Sequence, residues 1–199
     1  MVAAPSLCLL PPPPQTQARS STTFRPPPLD GSLTFPQMYS WHLEHTPDYR
    51  LFVYVREDGS VKTIYWPEAV KAIYTAAHII GNRIQWISYT SERPVIAILA
   101  ASDTIPYFIT LTSIMCTNYI AFPISPRNSA TAIAHLINAV GVKHILVGRE
   151  QSMLDLIRDT LEILKSQYPS VPAPALSPML LFEDLFLWTE ATANEEISL

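Results

Sequence analysis

Two histidines three residues apart, in His42-Leu43-Glu44-His45, form the first pattern in this chain with a chemical use. On a helix they share a face and can ligate a metal. No further cysteine or histidine stands at a spacing that completes such a site, and solvated or capping histidines satisfy the same pattern. Asp103 follows an apolar run that reads as a strand and precedes a helical pattern, the place where parallel sheets put ligand sites. With Ser102 or Thr104 it reads equally as the cap of that helix. Arg127 and Asn128, inside Ser125–Ser129, follow another apolar run in the same way. A turn leading into a helix capped by Ser129 accounts for them without a ligand. Cys116 reads as a small apolar core residue. His78, His135 and His144 stand apart, each expected at a helix surface or a strand end.

The five glycines, Gly31, Gly59, Gly81, Gly141 and Gly148, answer a different question. No G-x-G-x-x-G, G-x-x-x-x-G-K-[ST] or G-x-S-x-G can be assembled from them. A phosphate cradle needs glycines close enough for several backbone N–H groups to reach one anion. The common nucleotide loops are therefore excluded, and no residue qualifies as catalytic, cofactor-binding or metal-binding.

The elements that would position any site are clearest between Pro94 and Val147, where only Asp103 and Arg127 are charged before Lys143. Aliphatic runs at Val95–Ala100, Tyr119–Ile124 and His144–Val147 alternate with helical patterns at Ile105–Thr117 and Ala130–Val140. That is the β-α-β-α-β rhythm of a parallel sheet covered on both faces by crossover helices. Upstream, Thr34–Glu44 has helical spacing and leads to Pro47. Leu51–Arg56 and Val61–Tyr65 flank Asp58-Gly59, a hairpin signal because the turn needs positive φ. Pro67 opens a helix with Val70, Ile73, Tyr74, Ala77 and Ile80 as its core stripe and Gly81-Asn82 as its stop. Downstream, Glu150–Gln167 is amphipathic through Leu154, Ile157, Leu161 and Leu164. Tyr168–Pro178 reads as a proline-punctuated loop, and Met179–Trp188 as a strand or short helix. No internal repeat is present.

Length and composition bound the class. The 199 residues suit one domain, and 48% hydrophobic residues suffice for a core that buries roughly 70% of the unfolded surface. A net charge of -4 with no basic cluster argues against nucleic acid as a partner. Residues 1–30 hold eight of the nineteen prolines and favour a disordered, polyproline extension. Pro11–Pro14 and Pro26–Pro28 are candidate SH3 or WW ligands, although a partnerless extension is the commoner role. The folded part is expected over 31–188, followed by an acidic tail at 189–199. Cys8 and Cys116 cannot form a disulfide framework, which fits a reducing, cytoplasmic setting. Ser6–Leu10 is too short and lacks the basic flank of a signal peptide. Ile105–Ile124 has the length of a membrane span, but Pro106, Asn118 and Pro123 interrupt it.

Several of these segments resemble one family in series. Thr63-Ile64-Tyr65-Trp66-Pro67-Glu68-Ala69-Val70 looks like the opening strand and T-Y-x-E-L helix of adenylate-forming enzymes, the superfamily of acyl-CoA synthetases and peptide-synthetase adenylation domains. Leu111–Pro126 followed by Ala132–Val147 resembles that superfamily's second core motif, with Thr117-Asn118 where Ala-Gly is usual. Phe122-Pro123-Ile124-Ser125-Pro126-Arg127-Asn128-Ser129 is closest to the fungal adenylate-forming reductases. The resemblance covers Leu33 to Trp188 and implies an α/β fold: the N-terminal part of an adenylate-forming domain, a partial parallel sheet flanked by helices plus a small β-hairpin.

For intact members it also implies activation of a carboxylic acid by ATP, with Mg2+, to an acyl-adenylate, and a phosphopantetheine carrier and an NADPH-dependent reductase beyond. The family's phosphate loop, aromatic-Thr-Glu segment, ribose-binding Asp and catalytic Lys find no counterpart here. Ser88-Tyr89-Thr90-Ser91 lacks the glycine and lysine of such a loop. The chain thus reads as a fragment that does not adenylate alone and has the missing downstream part of its domain as a partner. Two other readings stay open: a complete small α/β interaction or ligand-binding domain with a proline-rich recruiting tail, and a protein anchored in a membrane by Ile105–Ile124.

Overall fold

Val95–Leu99 is uniformly apolar, so both of its faces must be covered, and a parallel sheet between helix layers does this. The computed structural model describes residues 21–56, 58–85 and 92–187. In chain order the elements are α1 (Phe35–His45), β1 (Arg50–Val55), β2 (Val61–Tyr65), α2 (Trp66–Ile84), β3 (Val95–Leu99), α3 (Thr104–Cys116) and β4 (Ile120–Pro123). They continue with α4 (Ala130–Val140), β5 (Val142–Val147), α5 (Gln151–Gln167), β6 (Ala175–Pro178) and α6 (Phe182–Phe186). The strands β4-β3-β5-β6 form a parallel sheet in that order, and β1 pairs with β2 in a separate antiparallel hairpin.

Period-two alternation along β3 divides the core. Ile96 and Ile98 point to a layer with Ile73, Ile80, Ile109 and Ile114 of α2 and α3. Val95, Ala97 and Leu99 point to the opposite layer with Ile133 and Ile137 of α4 and Ile157 and Leu164 of α5. The hairpin lies on the first layer, where Phe52 meets Phe108 and Tyr54 meets Phe182 edge to face.

Local signals set most boundaries. Ser129 Oγ accepts the Ala132 N–H at 3.2 Å and caps α4, which ends at Gly141 with φ 70°. Asn118 has φ 64°, with Asn118 N–H bonded to Met115 O and Tyr119 N–H to Ile114 O. This left-handed cap turns α3 into β4 and divides Ile105–Ile124 into a helix and a strand. No helix of the described residues is long and apolar enough to cross a membrane.

Three expectations need correction. Helix α2 does not stop at Gly81-Asn82 but runs to Ile84, with left-handed Gln85 as its cap at φ 50°. The extra turn brings Ile84 onto the core and lets Arg83 Nη1 donate to Pro178 O, which outweighs the helix cost of one glycine. The stripe of α2 is also rotated. Val70, Ile73 and Ile80 are buried as expected, but Tyr74 is exposed and Ala77 half-buried, while Ala69, Ala72, Ala76 and Ile79 take the interior. Those alanines let α3 approach closely enough for Ser113 Oγ to donate to Ile73 O at 2.9 Å. Finally, the expected loop Tyr168–Pro178 ends in strand β6, parallel to β5. A four-residue strand ending in proline suits a sheet edge, where the missing N–H needs no partner. Within Met179–Trp188, the described part forms the short helix α6.

Candidate functional site

The order β4-β3-β5-β6 puts a topological switch point between β3 and β5. The chain leaves β3 toward β4 on one side and leaves β5 toward β6 on the other. Ligand crevices in such sheets open at the carboxyl ends of these strands. Asp103 and Thr104 follow β3 there and line a groove of about 900 Å3. Its other walls are the strand run Phe52–Arg56, the turn residue Asp58, Ile105 and Pro106 of α3, and Phe182 and Glu183 of α6. After β5, Gly148 sits so tightly that an added Cβ would fall 3.3 Å from Ala100 Cα and 3.0 Å from Met153 Cγ. Arg149 then pairs with Asp184 at 3.6 Å, fixing α6 against the sheet edge.

Asp103 occupies the N-cap position of α3 with an extended backbone, but its side chain makes no cap hydrogen bond. The expected capping role is therefore limited to the backbone, where Asp103 O accepts the Tyr107 N–H. Arg127 and Asn128 form the expected turn, with Arg127 N–H bonded to Ser125 Oγ and Asn128 N–H to Ser125 O. They are not among the groove's lining residues.

The two histidines of His42–His45 have separate partners. His42 is not solvated: it is buried, bonds Thr46 Oγ1 through Nδ1 at 2.9 Å and stacks on Trp66 with centroids 4.3 Å apart. Phe24 closes its other side at 5.8 Å. Burial, and the neighbouring His45, hold its imidazole below the ordinary pKa. His45 bonds Trp41 O and stacks on Trp41. Among the described residues no three His, Cys, Asp or Glu side chains gather as a metal site. Cys116 is half-buried against the core, and burial pushes its thiol pKa up, away from the reactive thiolate.

His78 and His135 lie exposed on helices, as expected, near Asn82 and Tyr168 respectively. His144 is the exception, because it is buried within the sheet. Its Nε2 lies 2.6 Å from Ser177 Oγ on β6, and burial, then the Arg83 charge, push its pKa down to about 4. Both residues are buried, so the bond ties the edge strand to β5 instead of meeting a substrate. The partner Ser177 lies in a segment that reads as a loop, so nothing in the sequence pointed to this pair.

Chemically, the groove offers carboxylates, one guanidinium and aromatic faces, which is a binding repertoire. The described residues do not fit ATP or Mg2+: no glycine-lined phosphate cradle and no carboxylate cluster is present among them. Ser88-Tyr89-Thr90-Ser91, both chain ends (1–20 and 188–199) and the motifs within them lie outside the described residues.

No family model matches the chain. Adenylate-forming reductase Nps10 of Heterobasidion annosum is 40% identical over 191 residues, which is 94% of this chain and 17% of that protein. Adenylate-forming reductase Nps11 of Serpula lacrymans is 32% identical over 157 residues, 78% of this chain and 14% of that protein. The chain thus spans about one sixth of the curated relatives it matches. Among solved structures, an artificially fused adenylation–PCP di-domain from Klebsiella oxytoca, NpsA-ThdA, superposes with a TM-score of 0.54 at 12% identity, covering 79% of this chain and 24% of that one. The luciferase-like enzyme of the mealworm Zophobas morio gives 0.54 at 16% identity, covering 76% and 32%. These structures establish the fold, and the fungal sequences establish the lineage. The chain is part of a domain of the adenylate-forming superfamily, related to the fungal adenylate-forming reductases.

Proposed function

We propose that residues 31–188 are the N-terminal scaffold of an ATP-dependent, carboxylate-activating domain, with 1–30 an extension and 189–199 a tail outside its core. The intact polypeptide would use ATP and Mg2+ to convert a carboxylic acid to an acyl-adenylate in the cytoplasm. It would then pass the acyl group through a phosphopantetheine carrier to an NADPH-dependent reductase. The 199 residues alone do not adenylate. The observation that carries this reading is the 40% identity to an adenylate-forming reductase along 94% of the chain. The carboxylates, guanidinium and aromatic faces that line the groove at the sheet's carboxyl edge suit a binding and positioning role.

The test is a fusion in which this chain replaces its aligned 191 residues in the full-length Heterobasidion annosum relative. Carboxylate-dependent exchange of pyrophosphate into ATP is then measured for the fusion, the parent relative and the isolated chain. Exchange by the fusion and parent but not by the isolated chain is expected. A folded, inactive fusion beside an active parent, or exchange by the isolated chain, refutes the reading.

A further inference from the structure

The last proline run of the extension lies along the folded body. Phe24 anchors it, packing on Tyr49 with ring centroids 4.7 Å apart and on His42 at 5.8 Å, while its N–H bonds Ser21 Oγ. Arg25, Pro26 and Pro27 each precede a proline, which drives their backbone away from the helical region. The rings of Pro26–Pro28 fix φ at about −65°. Arg25–Leu29 is therefore a polyproline II segment, and among the described residues none of its backbone groups bonds to another backbone group. Gly31, at φ 83°, and the bond from Ser32 N–H to Asp30 Oδ1 turn the chain beyond it toward α1.

Burial along the segment has the matching period. Phe24 and Pro27 are half-buried, and the pairs Arg25-Pro26 and Pro28-Leu29 that follow them are exposed. Polyproline II repeats every three residues, so one edge of the helix faces the body and two face solvent. The outer edges are Arg25 with Pro28, and Pro26 with Leu29, which is 72% exposed. Arg25 forms no ion pair among the described residues. Residues 1–29 carry Arg19 and Arg25 and no acidic side chain, in a chain whose net charge is -4.

We propose that Arg25–Leu29 is a docking segment for an SH3-type domain, whose aromatic groove grips the two outer edges and whose carboxylate meets Arg25. Such grooves take a polyproline II helix from one side and leave its third edge free, and here that third edge lies on the body. Pro26 and Leu29 stand at the P-x-x-P spacing, with an aliphatic side chain in place of the second proline. The anchor at Phe24 holds the segment extended before a partner arrives, so less freedom is lost on binding than by a free peptide. The recognition residues lie outside 31–188, so this partnership is independent of the acid-activating reading.

The probe is an isolated, isotope-labelled SH3 domain with an acidic residue beside its aromatic groove. It is titrated with the unlabelled 199-residue chain, and the shifts of its groove amides are followed. Saturable binding by wild type is expected, weakened on the order of tenfold by Arg25→Glu. Leu29→Pro should tighten it several-fold, because it completes the P-x-x-P pair. Both positions are exposed, so neither substitution disturbs the fold. Replacing Pro11–Pro14 by alanine should leave the affinity unchanged, and the free peptide Ser21–Ser32 should bind several-fold more weakly than the chain. No binding, equal binding by wild type and Arg25→Glu, weaker binding by Leu29→Pro, or loss of binding on replacing Pro11–Pro14 overturns the proposal. A free peptide that binds as tightly as the chain overturns it too, because the body then presents nothing.

Discussion

Replacing His144 with glutamine should flatten the acid sensitivity of this fold. The imidazole is 6% exposed, bonded to Ser177 Oγ at 2.6 Å and close to the Arg83 charge, so its pKa falls from 6.5 to about 4. Burial of a neutral base favours folding where the base is uncharged. The stabilisation is complete above the unfolded pKa near 6.5 and is lost as pH falls toward 4, because the unfolded chain takes up the proton first. The whole drop corresponds to roughly 3 kcal/mol at about 1.4 kcal/mol per pH unit. Between pH 7 and pH 5 the loss is about 2 kcal/mol. Glutamine keeps a donor for Ser177 and does not titrate. Urea unfolding followed by tryptophan fluorescence, at both pH values for both proteins, isolates the term, since every other group is common. Wild type should lose about 2 kcal/mol more than His144→Gln on acidification. Equal losses, or a larger loss in the variant, would show that His144 is solvated or charged in the folded state.

Other substitutions separate caps that share a position but not a bond. Ser129→Ala removes the bond to the Ala132 N–H and should lower stability by about 1 kcal/mol, whereas Asp103→Ala, with no side-chain cap bond to lose, should change it by less than about 0.5 kcal/mol; matched thermal melts check the contrast. At Asn118, φ 64° predicts that glycine is tolerated and that valine costs about 1–2 kcal/mol, measured by the same melts. Ile98 is fully buried at the centre of the sheet, so Ile98→Ala should cost about 2–5 kcal/mol in urea unfolding.

Where structure depends on residues within a few positions of one another, the sequence by itself determined it. Ser129 and Gly141 bound α4 at the expected residues, Asp58-Gly59 closed the hairpin, and Thr117-Asn118 turned a helix into a strand. Each is a local choice of φ and ψ or of one capping bond, legible in residue type. The motifs around Trp66-Pro67 and Phe122–Ser129 carried the family for the same reason, since they are contiguous.

Tertiary structure alone decided what depends on distant partners. His144 and Ser177 meet across 33 positions, and Arg83 reaches Pro178 O across 95. Those contacts made a strand of Ala175–Pro178, whose proline and small residues read as a loop, and extended α2 past its glycine. Packing also buried two histidines whose residue type favours water, His144 against Ser177 and His42 against Trp66. A hydrophobic pattern shows that Val53 and Val55 alternate with aromatic residues, but only the placement of α3 and α6 makes Phe52–Arg56 one wall of a groove. Pairing energy is assigned in space, so no reading of neighbours along the chain could supply it.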